Sequence, residues 1–206
     1  GFIGSNLSLE LIKKGYNLDN KNILFSISRL VKRKGHDQVI KTMPSLAEEN
    51  PDLIYVIAGD GPDKHYLERI RNTLPEKVKS KILFLGKISE EDKESWLNLC
   101  DIFVMLSRNI DGDFEGFGIV YLEASYAGKP IIAGLSGGVQ DAVLNNQTGL
   151  LIPPSDQKQI RESIIKLIKD DNLRKKLGQK GKERDINEFS WKEKAVKINN
   201  LFYQHD

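Results

Sequence analysis

Six short apolar runs recur along this chain, and polar or amphipathic segments separate them. The runs cover residues 22–28, 53–58, 82–85, 102–106, 129–133 and 149–152. Runs of this length are typical of buried strands, whereas the stretches between them have apolar residues at helical spacing. Strands that alternate with helices in this way predict an α/β protein with a Rossmann-like, doubly wound parallel sheet of about six strands.

The pattern also predicts helices at both ends of the chain. A first helix is expected from Ser5 to Lys14, with Gly15 as the left-handed residue that ends it. After the last apolar run the chain is expected to be helical from residue 155, over 172–179, over 182–188, and over 191–203 with Ser190 as N-cap. These C-terminal helices are additional to the alternating α/β unit.

Composition restricts the classes of function. The 206 residues carry a net charge of +2, with 39% hydrophobic and 29% charged residues. These values are ordinary for a globular protein and give no indication of nucleic-acid binding.

Cys100 is the single cysteine, so no internal disulfide can form and a reducing, cytoplasmic compartment is expected. No apolar run is long enough to span a bilayer and no linker divides the chain, so residues 1–206 are expected to form a single domain.

One stretch combines two carboxylates with a glycine-rich turn. Glu115 precedes Gly116 and Gly118, and Glu123 follows on the apolar segment after the turn. The first N–H groups of a helix have no partner inside the helix and attract anions, and glycines let a phosphate approach the backbone. A carboxylate accepts hydrogen bonds from neighbouring sugar hydroxyls. The turn therefore suits a diphosphate and Glu123 suits a ribose, although a helix start with two solvated glutamates fits the same pattern.

A basic loop follows the first predicted strand. Ligands of open α/β sheets collect beyond the carboxyl ends of the strands, where this loop is expected to lie. Arg29 can donate two parallel hydrogen bonds to a phosphate, and Lys34 can add a point charge. Lys32 and Arg33, which lie between them, are predicted to be solvated.

An alternative site lies at the start of the chain. Gly1-Phe-Ile-Gly4 is similar to the last part of a dinucleotide-binding fingerprint. The full fingerprint needs a preceding strand, an earlier glycine, and an acidic residue after the next strand. The next predicted strand ends in Ser26-Ile-Ser-Arg29, without an acidic residue. An NAD-dependent sugar oxidoreductase is therefore only a minor alternative.

A metal site is the other alternative. Asp111-Gly-Asp113 has an Asp-x-Asp form whose two carboxylates could hold a divalent cation, but paired acidic residues in a loop are more often solvated turn residues. None of the histidines shows metal-ligand spacing with the cysteine. Each is predicted to be a surface or packed residue, these being His36, His65 and His205.

Five motifs occur in order, most of them at the end of a predicted strand. They are Ser28-Arg29-Leu-Val with Lys34-Gly35, Ala58-Gly-Asp-Gly-Pro62, Phe84-Leu-Gly-Lys-Ile88, Glu115-Gly-Phe-Gly-Ile-Val-x-Leu-Glu-Ala124 and Ser136-Gly-Gly138. Together with the Phe189-Ser-Trp191 entry to the last helix, this set resembles the C-terminal half of retaining glycosyltransferases of family four, which have the GT-B fold. Within that family the set is most similar to the phosphatidylinositol mannosyltransferase branch.

The resemblance implies a role for each motif residue. Arg29 and Lys34 would bind the donor diphosphate and act in catalysis, together with Glu115, which would face the transferred sugar. Glu123 would hold the nucleotide ribose. The other donor-binding residues would lie around the phosphates (Gly116, Phe117, Gly118, Ile119 and Val120), beside the base (Lys87 and Ile88) and at the edge of the cleft (Gly59 and Asp60).

The resemblance also implies what a complete enzyme would do. The chain would be its donor-binding domain, one half of a GT-B fold, and would hold a GDP or UDP sugar without a metal or other cofactor. The partner would be an N-terminal acceptor domain outside this chain, and any membrane contact would be made by that domain. The enzyme would move a hexose such as mannose or glucose onto a glycan or lipid, and this domain alone would transfer little sugar. A nucleotide-binding module without catalysis is the second alternative.

Overall fold

The computed structural model describes residues 9, 10 and 12–189, and the predicted Gly1–Gly4 fingerprint and last helix lie outside these residues. The strands are β1 (Asn22–Ile27), β2 (Leu53–Ala58), β3 (Ile82–Gly86), β4 (Ile102–Met105), β5 (Ile131–Gly134) and β6 (Gly149–Ile152). The main helices are α1 (His36–Glu49), α2 (Lys64–Asn72), α3 (Glu76–Lys79), α4 (Glu90–Leu99), α5 (Ile119–Tyr126), α6 (Val139–Ala142), α7 (Gln157–Lys169) and α8 (Asp171–Arg184). A 3₁₀ turn at Lys32–Lys34 precedes α1, and a π-helical turn at Asp185–Phe189 follows α8. Within the described ranges no helix is long and apolar enough to cross a membrane.

The six strands form one parallel sheet in the order β3-β2-β1-β4-β5-β6. This order confirms the predicted doubly wound, Rossmann-like fold. β1 and β4 are neighbours although two strands lie between them in the sequence, and Leu24 and Phe25 are in register with Ile102 and Phe103. The winding of the chain reverses at this pair of strands. The crevice beyond the carboxyl ends of such a pair is where open α/β sheets bind their ligands.

Both faces of the sheet are buried, each by its own set of helices. Leu24 of β1 belongs to the apolar cluster that α1, α2, α7 and α8 help to form, whereas Ile23 and Phe25 belong to the cluster on α4, α5 and α6. Successive side chains of a strand point to opposite faces, so a strand that is covered on both sides is apolar at nearly every position. The continuous apolar runs in the sequence have this origin.

The end of the first helix differs from the sequence prediction. The helix continues through Gly15, and Asn17 is the residue that takes the left-handed conformation, with a φ angle of 53°. The N–H of Leu18 donates to the carbonyl oxygen of Lys13 at 2.9 Å. This is the capping pattern of a helix followed by a left-handed residue, which asparagine adopts more easily than most residues.

The C-terminal part of the chain forms one helix, α8, where two helices over 172–179 and 182–188 were predicted. Gly178 lies inside this helix. A Cβ atom at this position would lie 2.0 Å from the carbonyl oxygen of Gly128, so the glycine lets α8 pack directly against the backbone that follows α5. The close approach offsets the low helix propensity of glycine.

Candidate functional site

Two loops meet beyond the carboxyl ends of β1 and β4, namely residues 28–35 and residues 106–118. Gly35 has a φ angle of 73°, and a Cβ atom there would lie 2.0 Å from the carbonyl oxygen of Leu106. The N–H of Arg108 donates to the carbonyl oxygen of Arg33 at 2.8 Å. Glycine alone satisfies both the backbone angle and the lack of space. The basic loop is therefore held against the loop that carries Glu115.

Glu115 is buried in this crevice, with 7% of its surface exposed. Its Oε2 atom accepts hydrogen bonds from Nζ of Lys34, from Nη1 of Arg33 at 3.0 Å and from Oγ of Ser107 at 3.2 Å. Burial alone would raise the pKa of Glu115, but the hydrogen bond and charge of Lys34, with the charge of Arg33, hold that pKa below its ordinary value. The carboxylate is therefore ionised and its orientation is fixed.

The structure corrects the prediction that Arg33 is solvated. Its side chain is 23% exposed and bridges two carboxylates, with Nε 3.0 Å from Asp113 and Nη1 3.0 Å from Glu115. Lys32 is exposed, as predicted, and its Nζ lies 5.9 Å from the centre of the Tyr66 ring. Sequence reasoning also missed Ser107, although its position two residues after the end of the buried strand β4 was an available signal.

Asp113 belongs to the Asp-x-Asp sequence, which is the alternative metal site of the sequence analysis. Asp111 and Gly112 form a turn with φ angles of 51° and 86°, and the pairing of Asp113 with Arg33 occupies the second carboxylate. Among residues 9, 10 and 12–189 no group of three or more His, Cys, Asp or Glu side chains is arranged to hold a metal ion. Arg33 thus ties this polar loop to Glu115.

The turn that carries Glu115 is supported from the next strand. The N–H of Gly138 donates to the carbonyl oxygen of Glu115 at 3.0 Å. A Cβ atom on Gly138 would lie 1.8 Å from the carbonyl oxygen of Gly116, and one on Gly137 would lie 2.2 Å from that of Glu115. The Ser136-Gly-Gly138 motif therefore acts as a backbone-to-backbone packing contact that fixes the turn.

Helix α5 begins directly after this turn. Gly118 is its N-cap residue, in the left-handed conformation with a φ angle of 81°, and no side chain caps the helix. The first N–H groups of α5 therefore remain available to an anion, where the helix dipole is positive. Ile119 is 71% exposed at this point and Val120 is half-buried. Phe117 packs against the ring of Phe189, with 5.7 Å between ring centres.

Arg29 lies on the same loop as Lys34 and its side chain is exposed. The loop after β2 supports it, because the N–H of Leu30 donates to the carbonyl oxygen of Asp60 at 2.9 Å. A Cβ atom on Gly59 would lie 1.9 Å from the carbonyl oxygen of Ser28, so the two loops touch through their backbones. The structure thus places Gly59 and Asp60 beside Arg29, and their role at the edge of a donor cleft stays a prediction.

Lys87 and Ile88 follow β3 at the outer side of the same edge. The N–H of Gly59 donates to the carbonyl oxygen of Gly86 at 2.7 Å, which ties the loops after β2 and β3 together. Lys87 is exposed, and Ile88 is half-buried against the cluster on α4, α5 and α6. Both residues therefore lie two loops away from Lys34, and their role beside a base stays a prediction.

Glu123 lies apart from the Glu115 cluster, which consists of Glu115 and its partners Arg33, Lys34 and Ser107. It lies on α5 with its side chain 34% exposed, and its Oε1 atom accepts a hydrogen bond from Nζ of Lys93 on α4 at 2.7 Å. A cavity of about 490 Å³ lies between α4, α5 and the end of α8. Of the predicted site residues, only Glu123 lines this cavity.

His36 is a packed residue, as predicted, and lies under the basic loop. Its Nε2 atom is 2.8 Å from Oγ of Ser28, and its Nδ1 atom is 3.2 Å from the hydroxyl of Tyr55. Burial, and secondarily the charge of Lys34, lowers the pKa of His36 to about 4. The imidazole is therefore neutral and braces the loop that carries Arg29 and Lys34.

The family model described as "Glycosyl transferases group 1" matches residues 9–184. A GDP-mannose-dependent monoacylated alpha-(1-6)-phosphatidylinositol monomannoside mannosyltransferase of Corynebacterium glutamicum is 37% identical over 185 residues, which are 89% of this chain and 47% of that protein. A GDP-mannose-dependent alpha-(1-6)-phosphatidylinositol monomannoside mannosyltransferase of Mycobacterium tuberculosis is 33% identical over 190 residues, 91% of this chain and 49% of the relative. The chain therefore spans about half the length of these curated relatives, and the predicted similarity to this branch is confirmed.

Comparison with solved structures confirms the fold. The C-terminal domain of the glycosyl transferase group 1 family protein LpcC from Francisella tularensis superposes with a TM-score of 0.74 at 24% identity, covering 87% of this chain and 93% of that domain. Anabaena HepE in complex with UDP-glucose superposes with a TM-score of 0.79 at 22% identity, covering 95% of this chain and 51% of HepE. At these identities the likeness concerns the fold alone, that of the C-terminal half of such proteins.

Proposed function

The chain belongs to the family of group 1 glycosyl transferases, and from this premise we propose that it binds the nucleoside-diphosphate sugar that such an enzyme uses as donor. The observation that best supports this proposal is the Glu115 cluster in the crevice between β1 and β4. One buried carboxylate, two cations and an uncapped helix start converge there. A ligand that combines a polyanion with sugar hydroxyls matches this combination of groups.

The transferred sugar would contact Glu115. Its Oε2 atom already accepts hydrogen bonds from three side chains, whereas no described residue donates to Oε1. An ionised carboxylate with one occupied oxygen is an oriented acceptor for a sugar hydroxyl through the other oxygen. In this proposal Lys34, Arg33 and Ser107 orient Glu115, and Oε1 binds the hexose.

The diphosphate would lie between the basic loop and the start of α5. Arg29 is exposed and free to donate two parallel hydrogen bonds, and the N–H groups from Gly116 to Val120 would contribute backbone donors. Lys34 uses one of its three N–H groups on Glu115, which leaves two for a phosphate oxygen. Glu123 would then hold the ribose, and Lys87 and Ile88 would border the base.

Sugar transfer breaks the bond between C1 of the sugar and the diphosphate oxygen, and the electron pair of that bond stays on the oxygen. Groups that are fixed in position before the reaction stabilise the growing charge without reorganising. Arg29, Lys34 and the start of α5 would supply such positive groups without a metal ion. The backbone contacts at Gly35 and Gly138 fix the loops that carry these groups.

The identity of the donor is proposed from the relatives. Both mannosyltransferases named above are GDP-mannose-dependent and act on phosphatidylinositol monomannosides by name, so we propose GDP-mannose as the donor and a glycolipid of the cell envelope as the acceptor. A UDP sugar is the alternative that the UDP-glucose complex of the structural neighbour favours. The acceptor would be held by an N-terminal domain of a cytoplasmic enzyme, and this domain alone would transfer little sugar.

Calorimetric titration of this chain with GDP, UDP and NAD⁺, each with and without Mg²⁺, tests the proposal. We expect one nucleoside diphosphate to bind with equal affinity in both conditions, and GDP to bind more tightly than UDP. Binding of NAD⁺ alone would contradict the proposal and favour the alternative at Gly1–Gly4. Sugar transfer by this chain alone at the rate of a complete enzyme would contradict the proposal that an N-terminal acceptor domain is needed for transfer.

A further inference from the structure

Lys93 connects two helices through carboxylates. From its place on α4, its Nζ atom lies 2.7 Å from Oε1 of Glu123 on α5 and 2.5 Å from Oε2 of Glu90 on its own helix. Its side chain is only 15% exposed, whereas that of Glu90 is 88% exposed. A cation in this position restricts the rotamers of Glu123 much more than those of the solvated Glu90.

We infer that Lys93 is a positioning residue for the nucleotide ribose, which it serves by holding Glu123 in the orientation that receives the ribose hydroxyls. The inference rests on the proposed function, because it needs a nucleotide in the site. Lys93 does not touch the nucleotide. It occupies Oε1 of Glu123, and no described residue donates to Oε2, which is left to accept from a ribose hydroxyl.

The expected size of the effect follows from side-chain entropy. A free glutamate loses rotamer freedom when it binds a ligand, which corresponds to roughly a tenfold loss in affinity. Lys93 restricts these rotamers before the ligand arrives. Burial alone would lower the pKa of Lys93, but its hydrogen bonds to Glu123 and Glu90 raise that pKa above its ordinary value. Lys93 therefore stays protonated at neutral pH.

A purely structural role for Lys93 is the competing explanation, because the bridge also ties α4 to α5. The chain offers a matched control for this. Lys129, three residues after the end of α5, donates to the carbonyl oxygen of Asn98 near the end of α4 at 2.8 Å. It joins the same two helices but touches no carboxylate of the site. Lys129→Met therefore loosens the helix pair without affecting Glu123.

The test compares the affinities of GDP and 2′-deoxy-GDP by calorimetry, with UDP and 2′-deoxy-UDP in parallel. We expect the unmodified chain to prefer the ribonucleotide by roughly tenfold, because a hydrogen bond to a charged group is lost with the 2′ hydroxyl. Lys93→Met should reduce this preference to about threefold or less, and Glu123→Gln should do the same. Lys93→Arg should restore most of the preference, and Lys129→Met should leave it unchanged.

The outcomes separate the two claims. If GDP and UDP both fail to bind the unmodified chain, the proposed function is wrong and the inference falls with it. If a nucleotide binds but Lys93→Met keeps the full preference for ribose, the inference alone is wrong. A larger preference in Lys93→Met would mean that Lys93 competes with the ribose for Glu123, which also contradicts positioning. Equal losses in Lys93→Met and Lys129→Met would assign a structural role.

Discussion

The two glutamates of the central segment have the same chemistry but very different surroundings. Glu115 is buried, accepts hydrogen bonds from three side chains on one oxygen, and sits on a turn whose backbone touches Gly138. Glu123 lies eight positions later with about a third of its side chain exposed, and Lys93 is its one ionic partner among the described residues. The first is fixed by the fold, and the second is held by a single bridge beside an open cavity.

The difference indicates that the two carboxylates have different tasks in the site. A group that faces the reacting centre must be in place before the reaction, because movement of that group during the reaction would raise the barrier. A group that recognises a distant part of the ligand can adjust when the ligand binds. Glu115 and Lys34 have the properties of the first class, and Glu123 has those of the second. Variants that disturb the surroundings of Glu115 should therefore change the free energy of unfolding strongly, whereas loss of the partner of Glu123 should change it little.

The largest effect is expected from Gly138→Ala. The new Cβ atom would lie 1.8 Å from the carbonyl oxygen of Gly116, and backbone atoms on both sides must move to relieve the overlap. We expect a loss of about 3 kcal/mol in the free energy of unfolding, or roughly 6–12 °C in Tm. Gly116→Ala is the control, because a Cβ atom there meets nothing within 4 Å and the φ angle of Gly116 is not positive. Equal Tm values for the two variants would show that Gly138 does not fix the turn.

Acid should weaken the rigid region through His36. Its pKa is about 4 in the folded protein and 6.5 in the unfolded chain, so the unfolded chain takes up the proton first as the pH falls. The stability is therefore complete above pH 6.5 and decreases towards pH 4. By pH 5 the loss should be about 2 kcal/mol, at 1.36 kcal/mol for each unit of pH.

Denaturant unfolding between pH 7 and pH 5 measures this loss. His36→Gln should remove most of the pH dependence in this range. His65→Gln, at a histidine whose side chain is 95% exposed, should leave the dependence unchanged. A steep pH dependence that survives in His36→Gln would mean that another group is responsible.

The smallest difference concerns the two lysine partners. Lys34→Met leaves the buried Glu115 with Arg33 and Ser107 as partners, so we expect a loss of about 1.5 kcal/mol in the free energy of unfolding, the value of one hydrogen bond to a charged group. Lys93→Met removes a partner from a carboxylate that water already reaches, and we expect less than about 0.5 kcal/mol. Urea unfolding of both variants measures the difference. Equal losses would contradict the contrast between the two glutamates.

The fold was predictable because its signals are local. Buried parallel strands are continuously apolar, and α4 begins with a local hydrogen bond from the N–H of Asp92 to Oγ of Ser89, three positions earlier. The error at α8 arose where packing against distant backbone decided the outcome. Gly178 is inside a helix because α8 lies against Gly128, which no local pattern reveals.

The site was predictable only in part for the same reason. Its residue types follow from motifs at strand ends, but its geometry depends on partners far apart in the sequence. Arg33 meets Glu115 across 82 positions and Lys93 meets Glu123 across 30. The sheet order that places β1 beside β4 creates the first contact, and the position of α4 and α5 on the same face of the sheet creates the second. The roles of Arg33 and Lys93 could therefore be recognised only in the folded structure, whereas Ser107 has a sequence signal in its position after a buried strand.

The most direct test of the central claim is the affinity of GDP for two variants of the same loop. Arg29→Ala removes a proposed phosphate ligand, and we expect a roughly 10- to 100-fold loss of affinity, the value of a charged hydrogen bond. Lys32→Ala removes an exposed cation of the same loop that lies over Tyr66, and we expect an affinity within about threefold of the unmodified chain. Calorimetry that gives this contrast supports a diphosphate site at the crevice between β1 and β4. An unchanged affinity in Arg29→Ala, or equal losses in both variants, would contradict it.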